Sequence, residues 1–459
     1  MKYENGLFIF RRDLRIVDNR GLSFLSSNCK NVHTIFIFTP EQVTSKNHYK
    51  SINAIQFMID SLEDLSEQIK KEGGSLHCFY GENKKVIKQL CADLSIDYLA
   101  FNADYTPYAL QRDQEIKELC DTMKIVCESA GDYYLNEPGS ILNGTGGPYQ
   151  KFTPYYNTAK HIPVTAPATK KKIRFSSSNR AFSNTISLGD AFHKLVKNRN
   201  ELVSPGGRTV GLKSLSASVK SQKKYSETRN MLSKETSRMS AYIKFGCISI
   251  REMYKAFKGN TELIRQVYWR DFYANILFFF PHDLGKPMKP SYNKIKWNHN
   301  EKWLQAWTRG ETGFPVIDAA MRELNHTGYM HNRGRLIVAA FLTKNLLIDW
   351  REGERYFATQ LVDYDPASNN GNWQWVASTG ADSQPYFRII NPWLQSKAVD
   401  PDAEYIKKWV PELADVPAKA IHEWHEFHKD FPGIYFKPIC DYSVQREKVI
   451  KMYAAVFAK

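Results

Sequence analysis

Four short runs of β-forming composition, 6–10 (GLFIF), 32–38 (VHTIFIF), Leu76–Tyr80 and Ile96–Phe101, all lie within the first 130 of 459 residues. Amphipathic stretches separate them. In 51–71, for example, Ile52, Ile55, Ile59, Leu62, Leu65 and Ile69 recur at near-helical spacing. Strands that alternate with helices are joined by crossovers, so neighbours in the sheet run parallel. The expectation is an N-terminal α/β domain with a parallel sheet over 1–130. RRDLRIVDN follows the first strand instead of a glycine-rich fingerprint, which argues against a conventional nicotinamide site.

The pattern then changes. GDYYLNEPGS, NGTGGPYQ and the lysine-rich TKKKIRFSSSNR predict a long turn-rich connector over 131–200, with a short helix at 188–197. Beyond it, over 201–459, the periodicity is helical. Candidate helices are 261–280, 301–308, 314–326, 331–348 and 353–361, with weaker ones at 402–409 and 445–457. This predicts an all-helical domain large enough to enclose a cofactor.

A formal charge of +15 favours a polyanionic partner. No run of about 18 or more uncharged apolar residues appears, so no membrane span is expected. MKYENGLFIFRRDLR lacks the small-residue cleavage site of a signal peptide. Seven scattered cysteines without a CxxC pair read as free thiols in a reducing, intracellular compartment and give no metal site. Nucleus, cytoplasm and virion are not separated by these features.

Asp363–Trp375, DYDPASNNGNWQW, places carboxylates, amides, a glycine and two indoles within thirteen residues. A plain core would use aliphatics, and a solvent loop rarely spends two tryptophans. The segment reads as a polar lining against an aromatic wall, suited to a flat hydrogen-bonding ring.

FRRDLR (10–15), TSRMSAYIKFG (236–246), WRDFY (269–273), FPVIDAAMREL (314–324), HNRGR (331–335) and NNGNWQWVASTG (369–380) form an ordered series. In that order and spacing the chain resembles the photolyase/cryptochrome flavoproteins along nearly its full length. The resemblance implies FAD in the helical domain and a second, antenna chromophore against the α/β domain. DYTPYALQRD (104–113) matches the antenna region but does not separate a folate, a deazaflavin, a second flavin or an empty site.

By the same resemblance, Asn369 lies near flavin N5 and favours the reduced cofactor. Asp363 and Arg335 form an ion pair beside the ring, and Asp365 lies near its pyrimidine edge. Tyr225 and Thr236, Ser237, Arg238, Met239 and Ser240 contact the phosphates and ribityl chain, with Arg270 as a further cofactor-side cation. Trp373, Trp350 and Trp307 match an electron-hopping chain from flavin to surface, with Trp373 innermost.

The partner implied is UV-damaged DNA, with the lesion flipped out of the duplex. Trp269 and Trp375 match aromatic walls around the lesion, and Arg229 and Arg333 match phosphate contacts. Enzymes of the family that split cyclobutane dimers carry a glutamate where this chain has Gln266; the (6-4) photolyases and animal cryptochromes carry glutamine. Against that, the two pocket histidines of (6-4) repair are replaced by Asn332 and Leu336, and the neighbouring His331 does not substitute for them. Cyclobutane splitting needs electron transfer and no obligatory proton relay. The expectation is therefore cyclobutane-dimer repair, with a blue-light receptor of the cryptochrome type as the alternative and (6-4) repair behind it. The chain ends at Lys459 soon after its last helix, so no signalling tail is expected. The expected state is a monomer without an obligate protein partner.

Overall fold

In the computed structural model, which describes residues 1–177 and 182–457, five strands form one parallel sheet. They are β1 (Tyr3–Phe10), β2 (Cys29–Phe38), β3 (Leu76–Tyr80), β4 (Tyr98–Asn102) and β5 (Val126–Ala130), in the order β3-β2-β1-β4-β5. The four predicted runs fall in β1–β4. They are legible because a strand covered on both faces is a near-continuous apolar run. β5 was not predicted: it is an edge strand, and in VCESA only Ala130 is buried. The helix Ile52–Lys71 is capped by Ser51, whose side chain accepts from Ala54 N, and it buries Ile55, Ile59, Leu62, Leu65 and Ile69.

The chain divides into two compact units. The first comprises 1–199, 204–220 and 237–281; the second comprises 200–203, 221–236 and 282–459. The sequence pattern began the helical domain at 201, whereas the contacts assign 204–220 and 237–281, including the helix Thr261–Phe279, to the first unit. That helix packs on a connector helix, Phe152–Ala159, that sequence reading left as turns. The connector also returns to the sheet. Five-residue β3 leaves the start of β2 without a strand on that side, and there Val32 N donates to Arg174 O (2.9 Å) while Ser176 N donates to Val32 O (2.9 Å). The end of TKKKIRFSSSNR lies outside the described residues.

The second unit is helical around a core that includes Trp307, Trp350, Trp373 and Trp424. Two departures from the sequence reading matter for the site. The predicted helix 331–348 is α-helical only over Asn332–Ala340, then passes through a π-helical turn, Phe341–Asn345. And Pro366–Val376 is a helix, absent from the predicted set, that carries most of the amide- and indole-rich motif. Asp365 caps it through Ser368 N (3.1 Å) and proline occupies its first turn. Among the described residues no helix is long and apolar enough to cross a membrane.

Candidate functional site

The helices Asn332–Ala340, Trp350–Gln360 and Pro366–Val376 of the second unit line a partly open cavity of about 110 Å³. Its lining brings together Arg335, Asp363, Asp365, Asn369 and Trp373, as well as Asn332 and Leu336. Asp363 accepts from both ends of the Arg335 fork, at 3.2 and 2.9 Å, and Arg335 Nε donates to Met330 O at 2.9 Å. Burial pulls the Arg335 pKa down, but the Asp363 carboxylate outweighs it and holds the guanidinium above its ordinary value. The guanidinium is therefore charged at any working pH. Tyr329 lies under the same guanidinium, 5.5 Å from its ring centre, and shares a 2.7 Å hydroxyl–hydroxyl hydrogen bond with Thr236.

Asn369 Nδ2 donates to the backbone oxygen and to Oε1 of Glu354, both at 2.9 Å. A carbonyl and a carboxylate can only accept, so this network fixes which end of the amide is which. The amide oxygen is left as the acceptor on the cavity lining. Glu354 is 2% exposed and follows Gly353, where the chain has no room for a side chain: a Cβ there would stand 2.1 Å from Trp373 Cη2. The missing Cβ lets Trp373 lie flat against the helix.

Trp307 meets Trp373 edge-on, with ring centres 6.2 Å apart, and Phe357 stands 5.0 Å from Trp373. Trp350 is buried, with the Arg351 guanidinium over its ring at 5.1 Å. Trp307 is 0% exposed and its Nε1 donates to Val338 O at 3.1 Å. It cannot be the surface end of a relay, because core helices cover it on every side.

A second concavity of the same unit, about 520 Å³, is lined by Arg333, Trp375, Arg388 and Arg446 together with Leu394. Leu336 lines both cavities and forms a wall common to them. Arg333 donates to Asn230 Oδ1 at 2.5 Å, while its Nε is buried without a hydrogen bond. Burial, and then Arg229, lower its pKa, so this is a desolvated positive site. His331 is buried, and its Nδ1 accepts from Arg333 N as a helix cap.

Most of the remaining candidates belong to the first unit. Gln266, Trp269 and Arg270 share the Thr261–Phe279 helix. Gln266 Nε2 donates to Glu262 O at 3.3 Å, and Trp269 stacks on Phe152 at 3.8 Å and 8°. Arg270 donates to Tyr133 O at 2.6 Å and covers the Tyr134 ring at 4.2 Å. Its role there is to pin the connector. Arg238 adopts φ +49°, Met239 is buried, and Ser240 opens a five-residue helix. Tyr225, in the second unit, is half-buried at the start of a short helix.

An acceptor amide, a rigid ion pair and an indole wall around a concave, mostly apolar space fit a flavin ring. Residues 7–171 match the model for DNA photolyase, and 263–455 match that for the FAD binding domain of DNA photolyase. A deoxyribodipyrimidine photo-lyase of Halobacterium salinarum is 35% identical across 97% of this chain and 98% of its own. The chain belongs to the DNA photolyase/cryptochrome family. Among solved photolyases, the one from Sulfolobus tokodaii, described with two FAD molecules, is 39% identical over 98% of this chain and 100% of its own, with a TM-score of 0.89. A Synechocystis cryptochrome is 26% identical over 98% and 100%, also with a TM-score of 0.89.

Within this photolyase-type chain, sequence reading missed Glu354 and Gly353. Both sit in WREGERY, whose charges suggest a solvated helix face. The available signal was their offset from Trp350: three and four residues on, one helical turn along the same face.

Proposed function

We propose that the protein uses light and reduced FAD to split cyclobutane pyrimidine dimers in DNA. The observation that carries this reading is the composition of the wall between the two cavities. Leu336 is shared, Asn332 and Trp375 flank it, and no histidine lines either cavity among the described residues. Oxygen transfer in a (6-4) lesion needs an acid–base group of near-neutral pKa. An apolar wall suits a reaction in which only an electron crosses and returns.

Bound FAD would supply light absorption and one transferable electron. Arg335 and Asp363 hold a fixed charge pair beside the ring, and Asn369 presents its oxygen as an acceptor for a ring N–H. Thr236 and Tyr225 supply hydroxyls toward the phosphates. Arg229 and Arg333 hold backbone phosphate, and Trp375 offers an aromatic face to a flipped base. Flipping costs a few kcal/mol, and stacking returns about 1–3 kcal/mol per base. Gln266 and Trp269 are assigned to the lesion by their match to the family pattern alone. We assign the antenna to the crevice beyond β1 and β4, where Arg12, Asp104 and Arg112 gather at the point where strand order reverses.

The cryptochrome reading draws on Gln266 and on the shared fold. Illuminating the reduced flavoprotein with oligonucleotides carrying one defined lesion separates the readings. Light-dependent restoration of the cyclobutane substrate alone is expected. Restoration of neither lesion favours the light receptor.

A further inference from the structure

Trp307 is fully buried, so an electron path through Trp373 and Trp307 needs another residue to reach solvent. We infer that Tyr356 is that residue, a redox-active tyrosine ending a branch Trp373–Trp307–Tyr356. This rests on the reading of Trp373 as the innermost relay indole.

The three rings are in sequence. Trp373 and Trp307 are 6.2 Å apart between centres, and Trp307 and Tyr356 are 5.7 Å apart at 64°. Phe357 packs against both indoles, at 5.0 and 6.1 Å, and excludes water from the gap between them. Trp307 donates its indole N–H to the Val338 carbonyl, which is not a base. An oxidised Trp307 therefore keeps its proton and remains a buried positive charge, which the core disfavours. Tyr356 relieves that charge because a phenol can lose its proton as it loses its electron.

The proton has a defined way out. Tyr356 OH has two acceptors, Asn325 Oδ1 at 2.7 Å and Thr308 O at 3.1 Å, of which Asn325 is the nearer, and Asn325 Nδ2 donates to Thr308 O at 2.8 Å. The second bond fixes the amide orientation, so the oxygen faces the phenol. Asn325 is exposed and Tyr356 half-buried, so the proton reaches water there. Burial pushes the phenol up to about 12, so it carries its proton at neutral pH.

The step balances. Bound oxidised FAD would supply the light-driven oxidation; Trp373 would then give up one electron and be refilled from Trp307, and Trp307 from Tyr356. The O–H bond of Tyr356 breaks and its proton leaves past Asn325 to water, giving a neutral phenoxyl. An external thiol then returns one electron and one proton to the phenoxyl, restoring the phenol, and the resulting thiyl radicals pair to a disulfide.

The test is time-resolved absorption and EPR after a flash on the oxidised holoprotein, with Y356F, W307F and N325L. Y356F keeps the packed ring and removes only the hydroxyl. The expected result is a tyrosyl signal in the unmodified protein, lost in Y356F and W307F while the tryptophan radical still forms in Y356F. N325L should delay the tyrosyl signal, and deuterated water should slow its rise without slowing the tryptophan step. A purely structural tyrosine would show neither effect. Tyrosyl signal unchanged in Y356F overturns the branch alone. No tryptophan radical in the unmodified protein overturns the relay and the branch with it.

Discussion

Asn369 Nδ2 spans the backbone oxygen and the carboxylate of Glu354, at 2.9 Å each, so a buried acidic residue sets the direction of the amide facing the cavity. Two helices meet at that junction, Trp350–Gln360 and Pro366–Val376. The same residues thus hold the helices together and decide what the cavity presents to a ring.

E354Q tests the orientation. Glutamine can donate or accept, so the Asn369 amide keeps only the backbone-carbonyl contact to hold it one way. Altered absorption of bound FAD and altered ease of its reduction are expected, with a small change in melting temperature. E354A removes the carboxylate contact from a buried donor and should cost about 1–3 kcal/mol in denaturant unfolding. Unchanged flavin spectra in E354Q would show that the backbone carbonyl of residue 354 alone orients Asn369.

G353A should be destabilising out of proportion to its size. The new methyl meets Trp373 Cη2 at 2.1 Å and Leu342 Cδ2 at 2.6 Å, and overpacking of this kind costs about 1–3 kcal/mol. The displaced indole lines the cavity, so weaker FAD retention and a shifted tryptophan emission are expected together.

Much of the fold was legible because burial leaves a plain mark on sequence. β1–β4 are apolar runs, and the 52–71 helix shows its stripe. β5 and the 366–376 helix left no such mark. The edge strand exposes polar residues, and Pro-Ala-Ser-Asn-Asn-Gly resembles a loop although Asp365 and Pro366 are a helix start. At the site, the Arg335–Asp363 pair was legible only through the family resemblance, since 28 residues separate the two in sequence and no local spacing marks them as neighbours. The depth of Trp307 was not legible, since the spacing of indoles along a chain says nothing about what covers them.

Lys344 gives a pH signature in the second unit. It is buried in the π-helical turn, donates to Ser378 Oγ (2.9 Å) and Tyr386 O (3.4 Å), and lies 3.9 Å from the Tyr453 ring centre. Burial lowers its pKa to about 7, against 10.5 for the free side chain. Between those values the unfolded chain binds the proton and the folded one does not, so stability rises with pH by up to about 1.4 kcal/mol per unit. The contribution is least below pH 7, where the buried amine is charged in the folded state. K344M should lack this slope, so the difference between the stability–pH curves of the unmodified protein and the variant should display it.

R333M should weaken binding to damaged and undamaged DNA alike and reduce the salt slope by about 1, because a phosphate contact carries no sequence information. A loss confined to the damaged duplex would assign Arg333 to the lesion itself.

Electron transfer across the Leu336 wall is the central claim, and the excited-state lifetime of the reduced flavin reads it directly. A bound oligonucleotide with one cyclobutane dimer should shorten that lifetime, while the undamaged oligonucleotide leaves it unchanged, and dimer splitting should track the shortening. An unaltered lifetime with the dimer-bearing oligonucleotide demonstrably bound would contradict the account.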